Sequence, residues 1–305
     1  MIIQRVLEQS VGFLRSDHER GTVRDGTWSR LKQDRTGIIG LFIVTVFFLI
    51  SLGVLLGFLG QGWSAADGGR WESASSNHWM GTNLLGQDIF QRAIFSTRTA
   101  FEIGVIVSLL STLLGALLGA LAGWYNGKPR KTWIDGGVLW LTGVLDSIPF
   151  YLFVAAVAYA LQGWPWAMHV AMVATFWTAT ARLVRAEVMR IRSREFVLSA
   201  RTIGLPAPLI LFRHVLPNTL HILFVQATIA FVAAIKTEVI LSFLGLGVQD
   251  SVSWGLMLAE STQEVLAGHF NNFLAASLML FLLLLGFNLL ADALQDAFDP
   301  RQAAL

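Results

Sequence analysis

Phe196–Asn218, FVLSARTIGLPAPLILFRHVLPN, is a charged and proline-punctuated island between long hydrophobic segments. It holds Arg201 and Arg213, a Gly-Leu-Pro-Ala-Pro turn at Gly204–Pro208, and an ending His214-x-x-Pro217-Asn218. Proline disfavours the helical region for the residue before it, so Leu205 and Ala207 are expected to be extended. The stretch therefore predicts a short helix up to Ile203, a break over Gly204–Pro208, and a second short helix from Leu209 to about His214. Two short helices joined by a bend make a compact knob that suits a cleft on another protein. An ordinary loop between two membrane spans is the plain alternative.

The segments on either side decide the class. Of 305 residues 54% are hydrophobic and only 14% charged, and the mean hydropathy is +0.60. That is too apolar for a soluble domain and predicts an integral membrane protein. The eleven Trp fit a chain with many membrane–water boundaries, where indole rings settle. There is no cysteine, which excludes disulfides and thiolate metal sites.

Residues 1–37 form a polar, basic tail in which Ile2, Ile3, Val6, Leu7, Phe13 and Leu14 recur at roughly helical spacing. The tail lies flat on the inner leaflet or is simply solvated. Its polar stretch is too long for a signal peptide. Residues 38–59 are free of charge and long enough to cross a hydrocarbon core of about 30 Å. A mixed loop, 60–97, follows, with a short surface helix expected over 85–98. Further spans are expected at about 101–124, 135–161 (interrupted by Asp146 and Pro149), 166–181, 219–243 and 272–290. Residues 98–292 make up the transmembrane core and 293–305 an acidic tail. In the second span Gly115, Gly119 and Gly123 fall four apart, a spacing that lets another helix backbone approach closely.

Basic residues set the orientation. Seven lie in residues 1–37, three in 125–135, seven in 182–218, and Arg301 follows; the opposite loops hold Arg70, Arg92 and Arg98. The expectation is an all-α polytopic protein of about six spans with both ends in the cytoplasm. The knob at 196–218 is then cytoplasmic as well.

Catalytic patterns are missing. Gly123-x-x-x-Gly127-Lys128 has the wrong spacing for a phosphate-binding loop and continues into Pro129. The histidines are scattered without the spacing of a zinc helix, and no Gly-x-Ser-x-Gly elbow occurs. No enzymatic activity, cofactor or metal is expected, and nucleic acid is not an expected partner. Three ionisable residues lie well inside spans: Asp146, Lys236 and Glu238. Such groups are costly in lipid and face protein or a water-filled path, so they are candidates for a translocation path. Asp146 and Lys236 touching as a structural pair is one alternative; Lys236 and Glu238 reaching the outer interface is another.

The spacing Ser199-Ala200-Arg201-x-x-Gly204, then Arg213-His214-x-x-Pro217-Asn218, resembles the loop shared by permease subunits of bacterial ABC importers. Leu241–Gly247 (LSFLGLG), Asp296–Arg301 (DAFDPR) and Gly81–Asp88 (GTNLLGQD) resemble the dipeptide, oligopeptide and nickel permeases, in their second-subunit branch. The likeness spans about residues 78–301. One departure is that the Glu opening the family's loop motif is Leu198 here. Another is that the family's Asp one turn before Asp146 is Gly143. The resemblance implies the type I ABC-importer transmembrane fold in a bacterial inner membrane. It also implies a homologous permease partner, two ATP-binding subunits docking on the 196–218 loops, and an extracytoplasmic binding protein that delivers short peptides. Nickel or another small solute is the alternative cargo. A secondary transporter would need paired broken helices in repeats, which the pattern does not show.

Overall fold

The computed structural model describes residues 34–161, 163–248 and 251–298. Within them the chain is helical, with one isolated antiparallel bridge between Thr82 and Asp88. The helical pattern expected in residues 1–33 lies outside the described residues.

Helix α1 (Arg35–Leu55) starts where the Asp34 side chain accepts the Thr36 N–H, and stops before Gly57, whose φ of +76° no helix accommodates. It runs against α10 (Asn271–Phe298), and two glycines make the crossing possible. A Cβ on Gly40 would lie 2.8 Å from the Gly286 carbonyl oxygen, and one on Gly286 would lie 2.8 Å from the Ile43 side chain.

Helix α2 (Ile89–Tyr125) is the spine. Its 37 residues reach about 55 Å. The expected surface helix over 85–98 and the expected second span are one unbroken element, because nothing between Arg98 and Phe101 breaks the ladder. Phe101 of α2, Phe231 of α8 (Leu220–Phe243) and Phe287 of α10 join three helices in the main core, with the Phe231 and Phe287 rings stacked at 3.9 Å. Gly104 leaves the space that the Phe231 ring fills, since a Cβ there would sit 2.4 Å from it.

The interrupted third span is two helices, α3 (Thr132–Ser147) and α4 (Phe150–Ala160), bent by 92° at Ile148–Pro149. Pro149 is the cap before α4, where its missing N–H is harmless. Among the described residues four helical stretches are long and apolar enough to cross a membrane, and five if the bent pair counts as one. The six-span count is therefore not reproduced by length and composition alone. The shortfall is α5 (Ala167–Ile191), which is long enough, at about 37 Å, but carries Thr175, Thr178, Thr180 and Arg182. Its buried face packs along α2, so a good part of it is shielded by protein and need not be apolar all round. It also continues ten residues beyond the expected Ala181.

Two further boundaries differ. Helix α9 (Trp254–Leu266) occupies the expected outer loop, opened by the Ser253 side chain accepting the Leu256 N–H. The last helix runs past the expected end at about residue 290 to Phe298, taking in Asp292 and, from the expected tail, Asp296.

Candidate coupling knob and intramembrane cleft

The α2–α5 seam positions both candidate sites. Gly115, Gly119 and Gly123 face α5 so closely that a Cβ on each would lie 2.6 Å from the Trp177 oxygen, 2.4 Å from the Ala181 oxygen and 2.6 Å from the Arg185 oxygen. At the end of this seam Arg192 donates to the Gly123 and Asn126 carbonyls at 3.0 and 2.7 Å, satisfying acceptors that the end of α2 leaves open. Arg185 grips Asp135 of α3 through two hydrogen bonds of 2.5 and 2.9 Å, and Asn126 adds a third at 2.7 Å.

The knob follows directly. Helix α6 (Glu195–Thr202) ends at Ile203, and Gly204 turns the chain with φ +84°. Leu205 and Pro206 lie outside any helix. Helix α7 (Ala207–Ile210) then begins earlier than expected. Ala207 is helical, not extended: Pro206 takes the extended cap position, and Pro208 falls in the first turn, where no N–H is needed. Nor does the second helix stop near His214. It passes through a π turn (Leu211–Val215) and a 3₁₀ turn (Leu216–Thr219) straight into α8. The π and 3₁₀ turns absorb Pro217, whose ring an unbroken α-helix would not tolerate.

Val197, Ala200, Ile210, Leu211 and Val215 fasten the knob to Trp124 and Val188 below it. Ser199, Arg201, Gly204, Arg213, Pro217 and Asn218 are exposed on it, Ala200 is buried and His214 is half-buried. Asn218 donates to the His214 carbonyl at 2.6 Å. The Arg201 guanidinium sits 4.6 Å from the Trp124 ring centre, and the Lys128 ammonium 4.4 Å from the same ring. Burial, followed by the neighbouring Arg201 and Arg192 charges, pushes the Lys128 ammonium below its usual pKa. Phe196, Leu198, Ile203, Leu209 and Phe212 are exposed around the charges, with Ile203 75% accessible. A bare apolar rim of this kind on a charged knob is characteristic of a docking surface.

The intramembrane charges separate into two places. Asp146 and Lys236 both line a cleft of about 650 Å³ where the α3–α4 bend faces α5 and α8. They do not pair with each other. Asp146 takes a hydrogen bond from Arg182 at 2.5 Å and one from the Thr178 hydroxyl at 3.2 Å. Asp146 is thus at a helix end rather than in mid-helix, and Arg182 offsets a carboxylate placed at the negative end of the α3 dipole. Glu238 is not exposed. It is buried between α8 and α9, accepting hydrogen bonds from the Ser242 hydroxyl at 2.6 Å and the Ser253 hydroxyl at 2.5 Å.

The sequence pattern does not single out Arg182 and Thr178 as partners of Asp146. They lie one turn apart on α5, the spacing that puts two side chains on one face, and by pattern alone Arg182 counts only among the basic residues that set the orientation.

The Gly81–Asp88 segment is a built turn. Asn83 accepts the Leu85 and Gln87 N–H groups, and Asp88 caps α2 by accepting the Gln91 N–H. Glu264 of α9 accepts the Leu84 N–H at 2.7 Å, and Arg92 donates to Glu260 at 2.6 Å, clamping α9 over the turn. His78 hydrogen-bonds Asp88 at 3.0 Å, and that bond is the main reason its pKa is raised.

A family model described as a binding-protein-dependent transport system inner membrane component matches residues 115–304. The chain belongs to that family. Its relatives agree. The dipeptide transport system permease protein of Bacillus subtilis (strain 168) is 34% identical over 277 residues, covering 90% of this chain and 84% of its own. The oligopeptide transport system permease protein of Mycobacterium tuberculosis (strain ATCC 25618 / H37Rv) is 35% identical over 233 residues, 75% of this chain and 78% of its own. The glutathione transport system permease protein of Pectobacterium atrosepticum is 39% identical over 233 residues, 75% of each chain. This is an ABC-importer permease, a multi-pass membrane protein with the type I importer fold.

Proposed function

We propose that this permease forms, with a homologous permease, the path by which short peptides cross the bacterial inner membrane, and that its 196–218 knob couples that path to ATP-binding subunits. Both ends of the chain and the knob then lie in the cytoplasm, while residues 60–97 and α9 face outward to receive an extracytoplasmic binding protein. Closure of two ATP-binding subunits draws the two knobs together and swings the cleft from inward- to outward-facing, a rigid-body switch between two packings. The peptide cargo is supported by relatives described as dipeptide, oligopeptide and glutathione permeases.

The observation that carries the coupling role is the knob itself: two short helices hinged at Gly204, apolar at the rim and tied by its root to the α2–α5 seam. A push on such a body moves the seam with it. The test is Gly204→Val in the assembled transporter. There is room for the new side chain, with no atom within 4 Å of a Cβ, so the effect comes from the φ of +84°. A β-branched residue at this φ costs on the order of 1–3 kcal/mol and re-aims α7. The variant should insert and assemble yet lose substrate-stimulated ATP hydrolysis; normal stimulation would count decisively against docking through this loop.

A further inference from the structure

We propose that Lys236 is the docking point for a carboxylate of the transported solute, so that the cleft at the α3–α4 bend selects for the acidic end of a peptide. This rests on the peptide-path reading above and assigns a polarity to it. Among the described lining residues only Asp146 and Lys236 carry charge. The acid is engaged: both its oxygens are held, Oδ1 by the Thr178 hydroxyl and Oδ2 by the Arg182 guanidinium. The ammonium is not. Lys236 makes no hydrogen bond or ion pair among the described residues, and it is exposed to the cleft.

With Asp146 neutralised by Arg182, the surplus charge of the cleft is positive. A cation on a membrane-spanning helix is retained where it faces water or a counter-charge, and a carboxylate is the counter-charge a peptide carries. Gln226, Ala230, Ala233 and Lys236, three or four apart, form one face of α8 along the cleft, with Thr175 and Thr178 of α5 across from it. An ammonium with three donors takes a carboxylate without demanding a fixed approach, which suits a path that must release its cargo. Asp146, by contrast, is a positioning residue: it holds α3 to α5 at the bend and does not receive the peptide's amino end.

The experiment uses the complete transporter, with its ATP-binding subunits and binding protein, in proteoliposomes. It compares uptake of a dipeptide having a free carboxylate with uptake of the same dipeptide as its C-terminal amide. The binding protein is unchanged throughout, so a change in the ratio belongs to the permease. Lys236→Gln and Lys236→Met should each lower the free-to-amide ratio about tenfold, the scale of one charge-assisted hydrogen bond, and Lys236→Arg should restore it. Arg182→Gln, which releases Asp146, should lower the same ratio by repelling the carboxylate. A ratio unchanged in both Lys236 variants, with wild-type uptake of the free dipeptide, overturns the carboxylate site and leaves the peptide path standing. A wild-type transporter that takes up neither dipeptide overturns the peptide path itself, and this site with it.

Discussion

Lys236 and Glu238 stand two residues apart on one helix and have opposite fates. Successive helical residues turn by about 100°, so one faces the cleft and the other is driven into α9. The sequence announced that both were unusual but not which neighbour each would meet, because a buried carboxylate is stabilised by donors from elsewhere in the chain. Here one of those donors, Ser253, lies fifteen residues away. Removing the acceptor leaves two buried hydroxyls unsatisfied, at about 1–3 kcal/mol each. Glu238→Ala should therefore lower the yield and melting temperature of the assembled complex, while Glu238→Gln, which keeps an acceptor, should recover most of the loss. Equal stability of the alanine variant would refute a structural role for Glu238. Leu198 is on the knob's exposed rim, at the position where the resembled loop motif opens with Glu, so Leu198→Glu should leave assembly and stimulated ATP hydrolysis within about twofold of wild type. His78 supplies a pH dependence. Its folded pKa is raised, so the stabilisation it shares with Asp88 is present below the ordinary histidine pKa and is lost as pH rises through the folded value. Amide exchange across Gly81–Asp88 should quicken over that window beyond the intrinsic rate. Asp88→Asn keeps the α2 cap and should abolish the step.

At the scale of elements, the glycine spacing in α2 was visible in the sequence, and the partner it meets was not. The three glycines approach Trp177, Ala181 and Arg185, more than fifty residues further on. Gly119→Leu should wedge α2 from α5. Overpacking of this kind costs about 1–3 kcal/mol or more, and the complex should show a lower melting temperature and less assembled material. Gly143→Ala is the control: nothing lies within 4 Å of its Cβ, and alanine is the better helix former. It should match or slightly exceed wild type. If both substitutions behave alike, the seam does not hold the bundle. Elsewhere hydropathy located the apolar helices well but misjudged their ends. It stopped the second span at Phe101 because Arg92 and Arg98 are charged, although Arg92 is buried on Gln87 and Glu260. It ended the fourth span at Ala181 because arginines follow, yet those arginines bond Asp146, Asp135 and the end of α2. Charge marks a boundary with water only when the charge has no protein partner. At Ala207 the local rule for residues before proline yielded to a stronger one, that the first helical turn needs no N–H from Pro208.

For the whole molecule, composition predicts an integral membrane protein, the succession of apolar stretches a polytopic one, and the split of basic residues its orientation. Fusions of a topology reporter at residues 130 and 205 should report cytoplasm, and fusions at 75 and 258 the outside. The architecture follows from a few long elements: α2 as spine, α5 along its glycine face, α8 and α10 joined to it through Phe101, Phe231 and Phe287, and the knob at the far end of the α2–α5 seam. In the coupling role proposed for it, the knob acts from the end of that seam, so a push on it would be passed along α2 and α5 toward the cleft. Because the chain contains no cysteine, one introduced thiol reports on this unambiguously. With Ile203→Cys at the exposed tip of the knob, a short thiol cross-linker should join the permease to an ATP-binding subunit in inverted membrane vesicles, and the yield should change on addition of ATP. Labelling of that thiol by a membrane-impermeant reagent from the outer side, or a fully assembled complex that forms no such cross-link, would contradict the coupling role assigned to Phe196–Asn218.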